Sequence, residues 1–240
     1  MNARVYTSEK IVAASQAAKI CEEQKTSEAK EVFQQVLDFM QDEFGITEQI
    51  QACQKEDTSC CRKVFQRAVE HTGNVSLEEI VPKDVNRAMP VAGLDALHKA
   101  MDKLTEGTLI DVPGKGIRFE VVNVDNGIMV PKIKKCNLPN FDVKLKISCI
   151  DSNGQGRTIY TEVQFIPEGS KELNAASHKA YRTSRTTTNP VEKLAADAKR
   201  LSIHEEIIDK CGLEDFKMER QAREARQTKY TAPALIATAA

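Results

Sequence analysis

Four residues in the first third of the chain combine thiols with an imidazole, the ligand types that zinc prefers. They are Cys53, Cys60, Cys61 and His71. A structural zinc site usually takes two ligands from one tight turn, separated by about two to four residues. The gap between Cys53 and Cys60 is longer than this, and Cys60 and Cys61 are adjacent, which is a poor geometry for chelating one ion. The spacing therefore predicts free thiols, with no metal site and no cofactor.

Nucleophilic catalysis requires a serine or cysteine beside a base and an orienting group. The available histidines are His71, His98, His178 and His204, and none of them lies in a recognisable catalytic signature. No segment carries the signature of a known family either. We therefore predict no catalytic residue, and we do not expect the chain to be an enzyme.

Residues 113–116 read Pro-Gly-Lys-Gly, a sequence that shares its glycines and lysine with phosphate-binding loops. A phosphate loop has to lead into a helix, because the helix N-terminus holds the phosphate. The residues that follow Gly116 alternate in hydrophobicity like a strand. The segment is therefore predicted to be a hairpin turn.

Basic residues are the remaining candidates for a site, because lysine and arginine bind phosphate groups and acidic partners. They are Lys132, Lys134, Lys144, Lys146, Arg182, Arg185, Lys217, Arg220, Arg223 and Arg226. Together they predict an anion-binding or partner-binding face. The alternative is that acidic residues on the last helix, such as Glu214, Glu219 and Glu224, neutralise its basic residues through neighbouring pairs.

The elements that must position these residues follow a change of hydrophobic period along the chain. Apolar residues recur at helical spacing over residues 1–105, alternate at strand spacing over 106–168, and return to helical spacing over 169–240. We predict an α+β protein with three domains. They are an N-terminal helical region, a central small antiparallel sheet or partly open barrel of about four to five strands, and a C-terminal helical arm with a loose tail.

The clearest alternation in the chain lies at Phe141–Ile150. Val143, Leu145 and Ile147 are predicted to face one side of the strand, with Lys144 and Lys146 on the other. One-sided hydrophobicity of this kind is typical of a sheet that covers a core with one face only. The lysines are therefore expected on the outer face.

Composition places the protein among ordinary folded chains, with 41% hydrophobic and 29% charged residues and a formal net charge of -1. Aromatic residues make up only 5% and tryptophan is absent, so stacking platforms for bases or sugars are poorly supplied. Seven cysteines without a secretory signal indicate a reducing compartment, and we expect a cytoplasmic protein. No apolar run is long enough for a membrane span.

These observations favour a role in assembling a protein complex over a catalytic role. We interpret the chain as a non-catalytic adaptor or structural subunit of a larger cytoplasmic assembly, with other protein subunits as its partners. The alternative is a nucleic-acid-binding protein, for example one that coats or packages RNA through its basic face. No small-molecule substrate is expected.

Overall fold

Threonine side chains cap the first two helices. Helix α1 spans Ser8–Glu23 and helix α2 spans Ser27–Phe44. Thr7 Oγ1 accepts a hydrogen bond from the backbone N–H of Lys10, and Thr26 Oγ1 accepts one from Ala29. These bonds satisfy backbone donors that have no partner inside a helix.

The computed structural model describes residues 7–70, 76–130 and 138–231. The chain divides into two compact units. The first consists of residues 1–125 and 141–166, and the second of residues 126–140 and 167–240. The predicted division into domains at 1–105, 106–168 and 169–240 stays a prediction.

A seven-stranded sheet forms the centre of the first unit. Its strands are β1 (Cys53–Gln54), β2 (Asn86–Ala88), β3 (Val91–Ala92), β4 (Leu109–Val112), β5 (Ile117–Asn126), β6 (Phe141–Ile150) and β7 (Gly156–Pro167). The order across the sheet is β1-β2-β7-β6-β5-β4, and β3 pairs with β7. Strand β2 runs parallel to β7, whereas β6 and β7 are antiparallel. The sheet is therefore mixed.

The predicted α+β class is confirmed, but the sheet is larger than the four or five strands expected. The additional strands β1, β2 and β3 come from the region that was interpreted as purely helical. They are two or three residues long, and a strand that short has too few residues to show an alternating pattern.

One face of the sheet is covered by helix α2. Phe44 packs edge to face against Phe165 of β7, with ring centroids 6.0 Å apart, and Phe39 packs against Phe119 of β5 at 6.2 Å. The inner face predicted for β6 is buried at Val143, Leu145 and Ile147, and Ile159, Val163 and Phe165 of β7 are buried beside it. This burial gives the sheet one apolar side and leaves its other side polar.

Helices α3 (Asp57–Glu70), α4 (Leu77–Ile80) and α5 (Leu94–Lys103) complete the first unit. Helices α1, α3 and α4 share a smaller apolar cluster that includes Ala17, Val64 and Ile80. Tyr160 packs against this cluster and comes from the polar side of β7. Helices α3 and α4 therefore lie close to that polar side.

The second unit contains helices α6 (Lys171–Thr186), α7 (Pro190–Lys210) and α8 (Leu213–Thr231). Asn189 caps α7 by accepting a hydrogen bond from the N–H of Val191 at 2.9 Å, and Pro190 takes the first helical position. Of the predicted loose tail, residues 232–240 lie outside the described residues. Within the described ranges, no helix combines the length and apolar character needed to cross a membrane.

Candidate functional site

Asp84 is a buried carboxylate that two lysines hold from different elements. It lies two residues before β2, and its Oδ2 forms ion pairs with Lys55, which follows β1, and with Lys63 of α3. The Lys55 and Asp84 side chains are only 11% and 8% exposed. A charge pair this well buried has to be matched by geometry, because each ion loses most of its hydration.

The two partners respond to burial in different ways. Burial by itself raises the pKa of Asp84, but the hydrogen bonds from Lys55 and Lys63 outweigh it and hold that pKa below its usual value. Burial lowers the pKa of Lys55 despite the carboxylate beside it. The Oδ1 atom of Asp84 is buried and makes no hydrogen bond to any described residue. Both lysines therefore pair with the same carboxylate oxygen of Asp84, Oδ2, and neither pairs with Oδ1.

A row of charged side chains crosses the polar side of the sheet, which we call the open face. Strand register pairs Arg87 of β2 with Glu162 of β7, and Glu162 with Lys144 of β6. Register partners project to the same face. Arg87, Glu162 and Lys144 are therefore side by side, and all three are half-buried.

Glu162 has an electrostatic environment that favours its protonated form. Burial raises the pKa of Glu162, and the negative charge of Asp84 raises it further. The positive charges of Lys144 and Lys63 offset only part of this effect. A carboxylate whose pKa moves toward neutrality is a candidate general base.

Asp142 is a second perturbed carboxyl group on the open face. Burial raises its pKa to about 7, and the charges of Glu162 and Asp125 contribute to the shift. Its register partner Gln164 donates through Nε2 to Asp142 Oδ2 at 3.3 Å. The other oxygen, Oδ1, is buried without a hydrogen-bond partner among the described residues.

A polar cavity of about 520 Å³ lies beside this group of charges, lined by Arg67, Ser76, Glu79, Lys83 and Lys144. Three of these five side chains are cationic, and one is a carboxylate. The Nη1 atom of Arg67 donates to the carbonyl of Val81 at 2.9 Å, which holds the guanidinium in place. The lining favours an anionic ligand, and phosphate groups are the common biological case.

The structure places the predicted basic residues in several locations. Lys144 and Lys146 lie on the open face of β6, as their alternation predicted. Lys144 takes part in both the charged row and the cavity. Lys132 and Lys134 lie outside the described residues. Lys144 is the cross-strand neighbour of Glu162, one of the perturbed carboxylates.

The remaining predicted basic residues belong to the second unit. Arg182 and Arg185 are exposed on α6, and Arg185 donates to the hydroxyl of Tyr181 at 2.7 Å. On α8, ion pairs join Lys217 to Glu214, Arg220 to Glu224 and Arg223 to Glu219. The exposed Arg226 donates to the carbonyl of Ala222. Neighbouring acids therefore neutralise most of the α8 cations, which is the alternative stated above.

The cysteines form no described metal centre. Cys53 and Cys61 are exposed, Cys60 is buried, and His71 lies outside the described residues. No group of three or more His, Cys, Asp or Glu side chains converges on a metal position in the described ranges. Burial and the neighbouring Cys60 raise the pKa of Cys21 to about 12, so this thiol is a poor nucleophile.

Residues 113–116 form the predicted turn between β4 and β5. Gly114 and Gly116 have φ angles of 68° and 63°, in the left-handed region that glycine adopts without strain. The segment joins two strands and does not lead into a helix. It lacks the helix N-terminus that a phosphate loop requires.

Comparison with known proteins identifies the fold. No protein-family model matches the chain, and no curated protein matches its sequence. Among solved structures, small alarmone synthetase 2 from Bacillus subtilis aligns with a TM-score of 0.53 at 12% identity, over 84% of this chain and 97% of the other. A GTP pyrophosphokinase family protein from Streptococcus pneumoniae aligns with a TM-score of 0.52 at 14% identity, over 90% and 98%. The chain shares the fold of these proteins.

This fold corrects the functional expectations drawn from the sequence. The names of both proteins describe enzymes, and one includes the nucleotide GTP. The interpretation as a non-catalytic adaptor or complex subunit, with RNA binding as the alternative, is therefore wrong. So are the expectations that the chain is not an enzyme and has no small-molecule substrate. The chain carries no contiguous catalytic signature, because its charged groups come from separate strands and helices.

Sequence reasoning missed Lys55, Lys63, Asp84 and Glu162. Glu162 could have been found, because it alternates with the inward residues Ile159 and Val163 along β7. Asp84 and its two lysines had no comparable signal. They come from separate parts of the chain, and only the packing of β1, α3 and β2 brings them together.

Proposed function

We propose that the chain is an enzyme that transfers a pyrophosphoryl group from a nucleoside triphosphate to a guanine nucleotide. The observation that carries this proposal is the group of carboxylates Asp84 and Glu162 with Lys55, Lys63 and Lys144 on the open face. The shared fold supports the reaction class, because one of the similar structures is named a GTP pyrophosphokinase family protein.

The reaction needs a base and a positive environment. The acceptor hydroxyl oxygen attacks the β-phosphorus of the donor, and the bond from that phosphorus to the bridging oxygen of the α-phosphate breaks. The proton of the hydroxyl passes to a carboxylate, and a nucleoside monophosphate leaves. Glu162 is the carboxylate best suited to accept the proton, because its pKa is raised toward the working range of a general base.

The cationic cavity supplies the contacts that phosphates need. Arg67, Lys83 and Lys144 line it, and Lys144 is also the cross-strand neighbour of Glu162. Phosphoryl transfer depends mainly on positioning and on stabilising negative charge, so cations beside the base meet both requirements. Lys144, with Lys146 two residues along the same strand face, therefore remains proposed as an anion-binding residue.

The test is a direct assay with the magnesium salts of ATP and GTP. The purified full chain is incubated with both nucleotides, and the products are separated by anion-exchange chromatography and identified by mass spectrometry. We expect a guanine nucleotide heavier by one pyrophosphoryl group, together with AMP in equal amount. Glu162→Gln is expected to lower kcat by about 100-fold or more, because the base is lost. Lys144→Met is expected mainly to raise KM.

The matched control is Lys115→Met, which removes an exposed lysine from the turn between β4 and β5. This variant is expected to retain the wild-type kcat and KM. Absence of the pyrophosphorylated product from the wild-type reaction contradicts the proposed reaction. Full activity of Glu162→Gln contradicts the assignment of the base.

We keep the cytoplasm as the proposed compartment. Six cysteines in the described residues are free thiols, including the exposed Cys53 and Cys61. Free exposed thiols persist in reducing compartments. Nucleoside triphosphates as substrates are consistent with the same location.

A further inference from the structure

Tyr160 brings an aromatic ring to the open face beside the proposed base. Tyr160 and Glu162 are two residues apart on β7, so their side chains project to the same face of the sheet. The register pairs Tyr160 with Lys146 and Glu162 with Lys144 on β6. The half-buried ring of Tyr160 is therefore the neighbour of the proposed base along the strand.

The fold holds Tyr160 in place through its backbone and its side chain. Its backbone N–H donates to Oε1 of the buried Gln24 at 3.2 Å. The backbone carbonyl of Gln24 accepts a hydrogen bond from Nδ2 of Asn86 at 2.9 Å, which ties the end of α1 to β2. The side chain of Tyr160 packs against the apolar cluster shared by α1, α3 and α4. The position of the ring is therefore fixed by contacts within the first unit.

Lys83 lies over this ring. Its Nζ atom is 5.7 Å from the centre of the Tyr160 ring, and the lysine side chain is half-buried. A cation within about 6 Å of a ring centroid is attracted by the negative face of the aromatic system. Lys83 also lines the polar cavity and precedes Asp84 in the chain. The ring therefore restrains a long, flexible cationic side chain at the wall of the cavity.

We propose that Tyr160 is a positioning residue, whose ring holds the ammonium group of Lys83 where it binds a phosphate group of the nucleotide. This inference rests on the proposed function and deepens it at the same site. A lysine loses side-chain freedom when it binds a ligand, and a ring that already restrains it reduces this cost. Arg67 is restrained in the same cavity by its hydrogen bond to the carbonyl of Val81. The cavity therefore presents cations that are oriented before the nucleotide arrives.

Isothermal titration calorimetry of the full chain tests the proposal, with the magnesium salts of ATP and GTP titrated separately. Lys83→Met is expected to raise the dissociation constant of at least one nucleotide by about tenfold, because a charge-assisted hydrogen bond to phosphate is lost. Tyr160→Leu is expected to raise the dissociation constant of the same nucleotide by about two- to fivefold, which is the range of a partly exposed cation–π contact. Unchanged binding of both nucleotides by Lys83→Met overturns the proposal.

A double-mutant cycle separates positioning from a general loss of structure. Without Lys83 the ring has no ammonium group to hold, so adding Tyr160→Leu to Lys83→Met is expected to cause no further loss of affinity. Tyr160→Phe keeps the ring and is expected to bind as the wild type does. Losses that multiply in the double variant overturn the proposal, and so does a Tyr160→Phe variant as weak as Tyr160→Leu.

Phe39→Leu is the matched control. Phe39 is a half-buried ring on α2, which covers the other face of the sheet, and the Nζ atom of Lys103 lies 5.8 Å from its centre. This substitution therefore removes a ring beneath a lysine away from the cavity. It is expected to leave both dissociation constants unchanged. An increase equal to that of Tyr160→Leu would trace the effect to lost packing and would overturn the positioning role.

A second measurement needs no ligand. An aromatic ring shifts the nuclear magnetic resonance signals of groups above its face, so the ε-methylene signal of Lys83 is expected to move upfield. The signal is assigned by its absence from Lys83→Met. The shift is expected to persist in Tyr160→Phe and to disappear in Tyr160→Leu, or in Tyr160→Met if the leucine variant does not fold. An unchanged shift without the ring overturns the proposal. Failure of the wild type to bind either nucleotide contradicts the proposed function instead, and the resonance still decides whether Tyr160 holds Lys83.

Discussion

Asp84 forms buried ion pairs with Lys55 and Lys63, and its removal tests how much they stabilise the fold. Asp84→Asn leaves the ammonium groups of Lys55 and Lys63 facing a neutral amide, and the side chain of Lys55 is only 11% exposed. An uncompensated buried charge is costly, so we expect a loss of about 3 kcal/mol in the free energy of unfolding. Urea denaturation of the wild type and the variant at neutral pH measures this loss.

The pH dependence of the same variant follows from the pKa of Asp84. Because the folded state lowers that pKa below 3.8, the stabilisation is complete above pH 3.8 and is lost as the pH falls through the folded value. The difference between wild type and Asp84→Asn is therefore expected to shrink in acid. Asp111→Asn breaks the exposed pair with Arg118, so its effect is expected to be much smaller at every pH. Equal effects of the two substitutions would contradict the role assigned to burial.

Among the individual residues of the candidate site, the sequence predicted some and not others. Lys144 and Lys146 were predicted on the outer face of β6, because the period of two in Phe141–Ile150 is regular. Asp84 gave no signal, because a lone aspartate before a three-residue strand resembles any turn residue. Its importance comes from Lys55 and Lys63, which approach it only in the folded chain.

Among the elements, the connection after β5 uses glycine for a reason that its sequence did not reveal. Asn126 and Gly127 suggest a tight hairpin turn, which would need a positive φ angle. Gly127 has no positive φ, and the next strand among the described residues, β6, begins at Phe141. A Cβ atom at Gly127 would lie 2.7 Å from the carbonyl oxygen of Leu138. Close approach of two backbone segments therefore requires the glycine.

Gly127→Ala is expected to reduce the free energy of unfolding by about 1–3 kcal/mol, because a backbone atom has to move to admit the methyl group. The control is Gly156→Ala at the start of β7, where a Cβ atom meets nothing within 4 Å. This control is expected to be neutral or slightly stabilising, since it restricts the unfolded chain. Thermal unfolding of both variants measures the difference, and equal stability of the two would refute the close contact.

Element prediction succeeded where a segment was long and periodic. Strand β6 was predicted with its buried side, because its ten residues alternate regularly. Strands β1, β2 and β3 were missed because each has only two or three residues. Pairing with neighbouring strands determines such short segments, and their own residue pattern contributes little.

For the whole molecule, nucleotide binding is expected to raise stability, because a ligand that binds only the folded state shifts the folding equilibrium. At a nucleotide concentration of about 100 times Kd, the gain is about 2.7 kcal/mol. We expect this as a rise of several degrees in the unfolding midpoint measured by differential scanning fluorimetry. Lys144→Met is expected to require more nucleotide for the same rise.

The control is again Lys115→Met, whose midpoint is expected to rise with nucleotide as the wild type does. An unchanged midpoint for the wild type at saturating ATP and GTP would argue against nucleotide binding. Equal responses of wild type and Lys144→Met would argue against the cavity as the phosphate site.

The sequence by itself determined the α+β class, the helical character of the two ends of the chain, and the side of β6 that faces the core. These follow from periodic burial within one segment, which local sequence records. Only the tertiary structure decided where the charged groups meet. Asp84, Glu162 and their lysines come from five separate parts of the chain, and each looks like an ordinary surface residue in its own segment. Their perturbed pKa values arise from burial and mutual proximity, which exist only after β1, β2, β6, β7 and α3 have packed together.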